Sequence, residues 1–89
     1  MIAVKRLVLD VLKPHQPDAL NFCRELAQLG PGYRVSLSLE EMDDNTQTLQ
    51  LEIRGDAIDI APIEEAIVRM GASIHSVDQV EVLNEPGGA

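Results

Sequence analysis

The chain has almost no aromatic residues: Phe22 and Tyr33 are the only two, and tryptophan is absent. That removes the stacking platforms on which single-stranded nucleic acids are read. Basic residues are scarce as well, seven Lys and Arg against fifteen Asp and Glu, for a formal charge of −8 over 89 residues. Such a surface repels a phosphate backbone, so nucleic acid is excluded as a partner. The single cysteine, Cys23, has no intramolecular partner, which excludes the disulfide-stapled secreted class. No apolar run approaches the ~18 residues of a membrane helix, and no signal-peptide h-region follows Met1. A cytoplasmic protein without a membrane partner is expected. Apolar residues still make up 45% of the chain, enough for one small folded domain and too many for wholesale disorder.

The apolar residues change period along the chain. Ile2 to Leu12 is near-continuously apolar and rich in β-branched residues, with Leu7, Leu9 and Val11 on one parity and Arg6, Val8, Asp10 and Leu12 on the other. A central strand is predicted, halted by the KPHQP segment, with Pro17 placed in the first turn of a helix. From Asp18 to Leu29, the residues Ala19, Leu20, Cys23, Leu26 and Ala27 fall on one helical stripe. Gly30-Pro31-Gly32 supplies its C-cap and stop. Tyr33 to Met42 and Gln47 to Arg54 alternate strictly around the polar turn Asp43 to Thr46, which predicts a hairpin. Asp59 reads as the N-cap of a second helix with Ile63, Ala66, Ile67 and Met70 inward, closed by Gly71. In the last strand, Ala72 to Leu83, the apolar residues do not keep one parity, so a bulge is expected between His75 and Asp78. The Gly-rich tail from residue 84 to 89, which holds EPGGA, is expected to be flexible.

The order β-α-β-β-α-β with right-handed crossovers gives a four-stranded antiparallel sheet with both helices on one face. This is an α+β, ferredoxin-like sandwich in a single domain over residues 1–83. Its other face would carry Arg6, Val8, Asp10, Leu12, Ser36, Ser38, Glu40, Thr48, Gln50, Glu52 and Arg54. Two readings are open for that face: a solvated surface with cross-strand ion pairs, or an oligomer interface or binding platform.

Two clusters carry possible chemistry. Glu40, Glu41, Asp43 and Asp44 crowd the hairpin tip. The tip is either a solvated turn or a hard-cation site for Ca²⁺ or Mg²⁺, shared between subunits in one version, although it lacks the spacing of a calcium loop. Asp10, Lys13, His15, His75 and Asp78 form the second cluster, because antiparallel first and last strands bring the end of one near the start of the other. Two histidines and a carboxylate suit a zinc or iron site or an acid–base pair. The alternative is that each histidine caps a backbone end or packs at the surface, since the spacing matches no ligand motif. Cys23 reads as an inert thiol on the helix stripe. Phosphate-cradling loops, GxSxG and HExxH are absent. The loop KPHQP lacks both the paired cysteines of a soft-metal chaperone and the arginine loop of acylphosphatase-like chemistry.

LVLDVLKPH (Leu7 to His15), the EEMDDNT hairpin, LEIRGDAID (Leu51 to Asp59) and MGASIHSVDQV (Met70 to Val80) together resemble one family. It is the mainly archaeal family known as domain of unknown function 211. The resemblance spans residues 1–83, with LDVLKPH and IHSxDxV as paired signatures. It implies a ferredoxin-like subunit that assembles into ring-shaped homo-oligomers, with no biochemical activity assigned. Asp10, Lys13, His15, His75, Ser76 and Asp78 match its motif positions and become the implied ligand-binding residues. Glu41, Asp43 and Asp44 are the candidate metal ligands. The chain departs from the family at Asp44-Asn45, where a Lys/Glu-rich turn is usual, and at Ala72, where a second glycine is common. The expected role is a non-enzymatic binding or regulatory module, with a metal-dependent enzyme or a purely structural protein as alternatives.

Overall fold

A computed structural model describes residues 1–86. Its elements are β1 (Ile2–Pro14), α1 (Ala19–Ala27), β2 (Arg34–Met42), β3 (Thr46–Arg54), α2 (Ile60–Arg69) and β4 (Ser73–Asn84). The strand order is β2-β3-β1-β4, antiparallel throughout, which is the ferredoxin-like α+β arrangement with β1 and β3 central. β1 and β3 pair without a break from Arg6↔Arg54 to Pro14↔Thr46. Strict alternation on both strands therefore puts Leu7, Leu9 and Val11 beside Ile53, Leu51 and Leu49 in one core layer.

Phe22 and Leu26 of α1, with Ile63, Ala66 and Ile67 of α2, close that layer and are fully buried. The helix stripe on α1 is therefore rotated from the expected one. Leu20 is 60% exposed, while Phe22, which the stripe omitted, fills the centre because an aromatic ring buries the most area. α1 begins at Ala19, with Asp18 as its N-cap accepting the Asn21 amide at 2.8 Å, so Pro17 lies outside the first turn. Asp59 takes the N-cap position of α2 without a side-chain cap bond; its own amide instead donates to the Tyr33 hydroxyl at 2.9 Å. Gly30 is not the cap of α1, which is Gln28. It is small because a Cβ there would overlap the Tyr33 ring. Gly71, at φ +83°, does terminate α2.

The strands outrun the helices. Twelve residues of β4 extend roughly 40 Å, whereas ten of α2 cover about 15 Å, and the molecule measures 53 × 22 × 17 Å. The far end of the sheet is partly covered by the segment after β3, where Gly55 and Ile58 amides bond to the Lys5 and Val4 carbonyls. The expected bulge in β4 appears twice: register shifts leave His75 and Asp78 as extra residues opposite β1. Glu85, expected in the tail, is fixed. Its backbone bonds with Met1 in both directions and its carboxylate pairs with Lys5. Residues 87–89 of the expected tail lie outside the described residues.

Candidate functional site

Lys13 continues the inward parity of Leu7, Leu9 and Val11, so its side chain enters the core side of the sheet and is fully buried. Its Nζ donates to the carbonyls of Pro14 (2.8 Å), His15 (3.4 Å) and Pro17 (2.5 Å) and lies 5.8 Å from the centroid of the Phe22 ring. An ammonium has three protons, and here each finds an acceptor in the loop that leaves β1. Burial lowers its pKa from the ordinary lysine value, and Asp18 offsets this in part. Lys13 is thus a latch inside the KPHQP corner and presents no charge to a ligand. Once held, the corner sends His15 towards the hairpin, where Nε2 sits 3.0 Å from the Asp43 carbonyl oxygen and donates to it in the Nε2–H tautomer.

His75 lies on the opposite flank of β1. As a bulged residue of β4 it borders a depression of about 400 Å³ with Asp10, Leu12, Thr48, Ser73 and Ile74. His15 is not among its lining residues. Ser76 faces Asp10 in register, but its hydroxyl donates to Asp78 at 2.7 Å. The matched residues therefore divide among three places. Lys13 and His15 hold the corner, Asp10 and His75 line the depression, and Ser76 with Asp78 bonds internally along β4. At the hairpin tip, Asp43 bonds the Thr46 carbonyl through its amide, and Glu41, Asp43 and Asp44 are all exposed. Among the described residues, no three of His, Cys, Asp and Glu gather as a metal site.

The family described as uncharacterized ArCR, domain of unknown function 211, matches residues 5–85. The chain belongs to this family. A curated relative, an uncharacterized protein of Methanocaldococcus jannaschii, is 35% identical over 80 residues, covering 90% of this chain and 82% of the relative. The match takes in both helices, both candidate clusters and all of the sheet except the first three residues of β1.

The face away from the helices has its own roof in this family member. Arg6 Nε donates to Glu52 Oε2 at 2.6 Å, its guanidinium also reaches the Gln79 side chain, and Arg54 approaches Glu52 from the other side at 3.4 Å. Val8, flanked in register by Glu52 and Gln79, is only 2% exposed as a result. The hydrogen bond from Arg6, joined by Arg54, holds the Glu52 carboxyl below the usual carboxylate range. The expected cross-strand ion pairs are thus present, and of the two aliphatics on that face only Leu12, at 41%, is open. The larger apolar exposure lies elsewhere. Val77, Val80, Val82 and Leu83 on edge strand β4 are 48–54% exposed. Parity on β1 singled out the helix-free face but said nothing of where helices of nine and ten residues would stop.

Proposed function

We propose that this family member is a non-enzymatic, homo-oligomeric binding module of the cytoplasm, holding a hard cation or a small ligand at or between subunits. The observation that carries the reading is β4, a twelve-residue edge strand whose valines the helices leave about half exposed. Val77, Val80 and Val82 are each about half exposed. Completing their burial is worth roughly 2–4 kcal/mol per subunit edge, taking about 1.5–3 kcal/mol for a full valine. A long apolar edge also invites strand addition unless another chain covers it.

Both edges of the sheet are open, and β2 and β4 run antiparallel to each other. Head-to-tail contact between β4 of one copy and β2 of the next therefore continues the antiparallel pattern. Repeated with a rotation that closes, such a contact makes a ring. A Ca²⁺ or Mg²⁺ at the hairpin draws on carboxylates of two copies in this reading, because Glu41, Asp43 and Asp44 do not converge within one chain. The reduced thiol of Cys23 suits the cytoplasm.

Light scattering tests the assembly. The expected mass is a multiple of 9.7 kDa, lowered by Val80→Glu; a monomer at working concentration overturns the reading. Thermal melts test the cation. An ion at 100 times its Kd adds ~2.7 kcal/mol, and the gain should disappear in Asp43→Asn. A melt unmoved by any divalent ion, in an intact oligomer, removes the cation and leaves the small ligand.

A further inference from the structure

We infer that the depression beside the His75 bulge is a binding site for a small aliphatic organic cation, an alkylammonium or alkylguanidinium. The inference rests on the binding-module reading and names its ligand class. Its centre is Asp10. Glu52 is neutralised by two arginines, Glu85 by Lys5, Asp18 caps a helix and Asp78 receives the Ser76 hydroxyl. Asp10 takes part in none of the ion pairs among the described residues, although it lies half-buried in a central strand, on the face that carries Arg6. Arg6, the closest basic residue on the same face of β1, is turned towards Glu52 and Gln79, and Lys13 lies on the opposite, core side of the strand.

The rest of the depression suits the same ligand. Thr48 and Ser73 flank Leu12 in register on β3 and β4, offering hydroxyl acceptors on either side of an aliphatic floor. His75, displaced by its bulge, borders the depression and adds a ring nitrogen that can accept. One carboxylate, neutral acceptors around it and a half-open leucine match a cationic donor head joined to a short alkyl chain. The volume, about 400 Å³, is that of a small-molecule site. The chain's charge of −8 raises the local concentration of any cation.

Agmatine is the probe, titrated into deuterated, ¹⁵N-labelled protein at 150 mM NaCl with butyrate as the anionic control. Saturable amide shifts centred on residues 10–12, 48 and 73–76 are expected. Asp10→Asn should weaken binding by about ten- to a hundred-fold, the loss of one charge-assisted hydrogen bond. Leu12→Ser, a partly exposed position, should weaken it several-fold with the spectrum otherwise intact. No saturable shift overturns the inference, as does a shift centred on residues 40–44 that Asp10→Asn leaves unchanged. Light scattering on the same samples separates the two readings. An intact oligomer that ignores agmatine loses only this ligand class, whereas a monomer removes the module itself.

Discussion

Replacing Lys13 by methionine keeps the length and apolar stem of the side chain and removes the ammonium alone. The carbonyls of Pro14, His15 and Pro17 then lose their common donor. A buried acceptor left unpaired costs about 1–3 kcal/mol. These three belong to half-buried residues, so water can reach part of the corner and the lower end applies, about 3 kcal/mol in total. Releasing a buried charge offsets some of that, which leaves an expected loss of about 2–3 kcal/mol. For a domain of this size each kcal/mol moves Tm by roughly 4–8 °C, so a fall of roughly 10–20 °C is expected at matched protein concentration. Urea unfolding followed by circular dichroism supplies the free energy. The pH dependence supplies an independent check. Burial lowers the pKa of Lys13, so the unfolded chain binds its proton more tightly. The wild type should therefore gain stability as pH climbs through the window just under the ordinary lysine pKa. Lys13→Met should lack that gain. A loss below 1 kcal/mol, with parallel pH curves for the two proteins, would refute the latch.

Four further outcomes are expected. Tyr33→Phe removes the acceptor of the Asp59 amide at the start of α2 and should cost about 0.5–1.5 kcal/mol by urea melt; Gly30→Ala, which drives a methyl into the same ring, should cost more. Glu52 holds a depressed pKa through Arg6 and Arg54, so its contribution is complete above the ordinary carboxylate pKa and fades as pH falls through the lowered value. Acid titration of Glu52→Gln should show a shallower loss over that range. Burial raises the pKa of the Cys23 thiol, so a thiol reagent at neutral pH should label the folded protein far more slowly than the urea-unfolded chain. Because every subunit carries a charge of −8, added salt should strengthen self-association in sedimentation runs.

Much of the architecture was legible because period-2 and helical spacing are local signals. The unbroken pairing of β1 with β3 follows from two strictly alternating segments, and the bulges at His75 and Asp78 follow from lost parity in β4. The α1 stripe was misplaced because helical spacing permits more than one face, and the burial of Phe22 against the sheet, not spacing, selects among them. Lys13 was legible in principle. It shares parity with Leu7, Leu9 and Val11, and an inward lysine at a strand end next to two prolines must find carbonyls. The separation of His15 from His75 was not legible, since it depends on which way a loop turns after Pro14, and that direction is fixed by three hydrogen bonds to one side chain. The exposed valines of β4 depend on helix length against strand length, a comparison of whole elements.

Amide hydrogen exchange along β4 tests most directly whether a neighbour covers this edge. The amides that β1 does not accept should exchange slowly in the assembled protein and accelerate on dilution or in Val80→Glu. Exchange of those amides at the free-peptide rate, at a protein concentration where the pairing partners in β1 remain protected, would contradict the account.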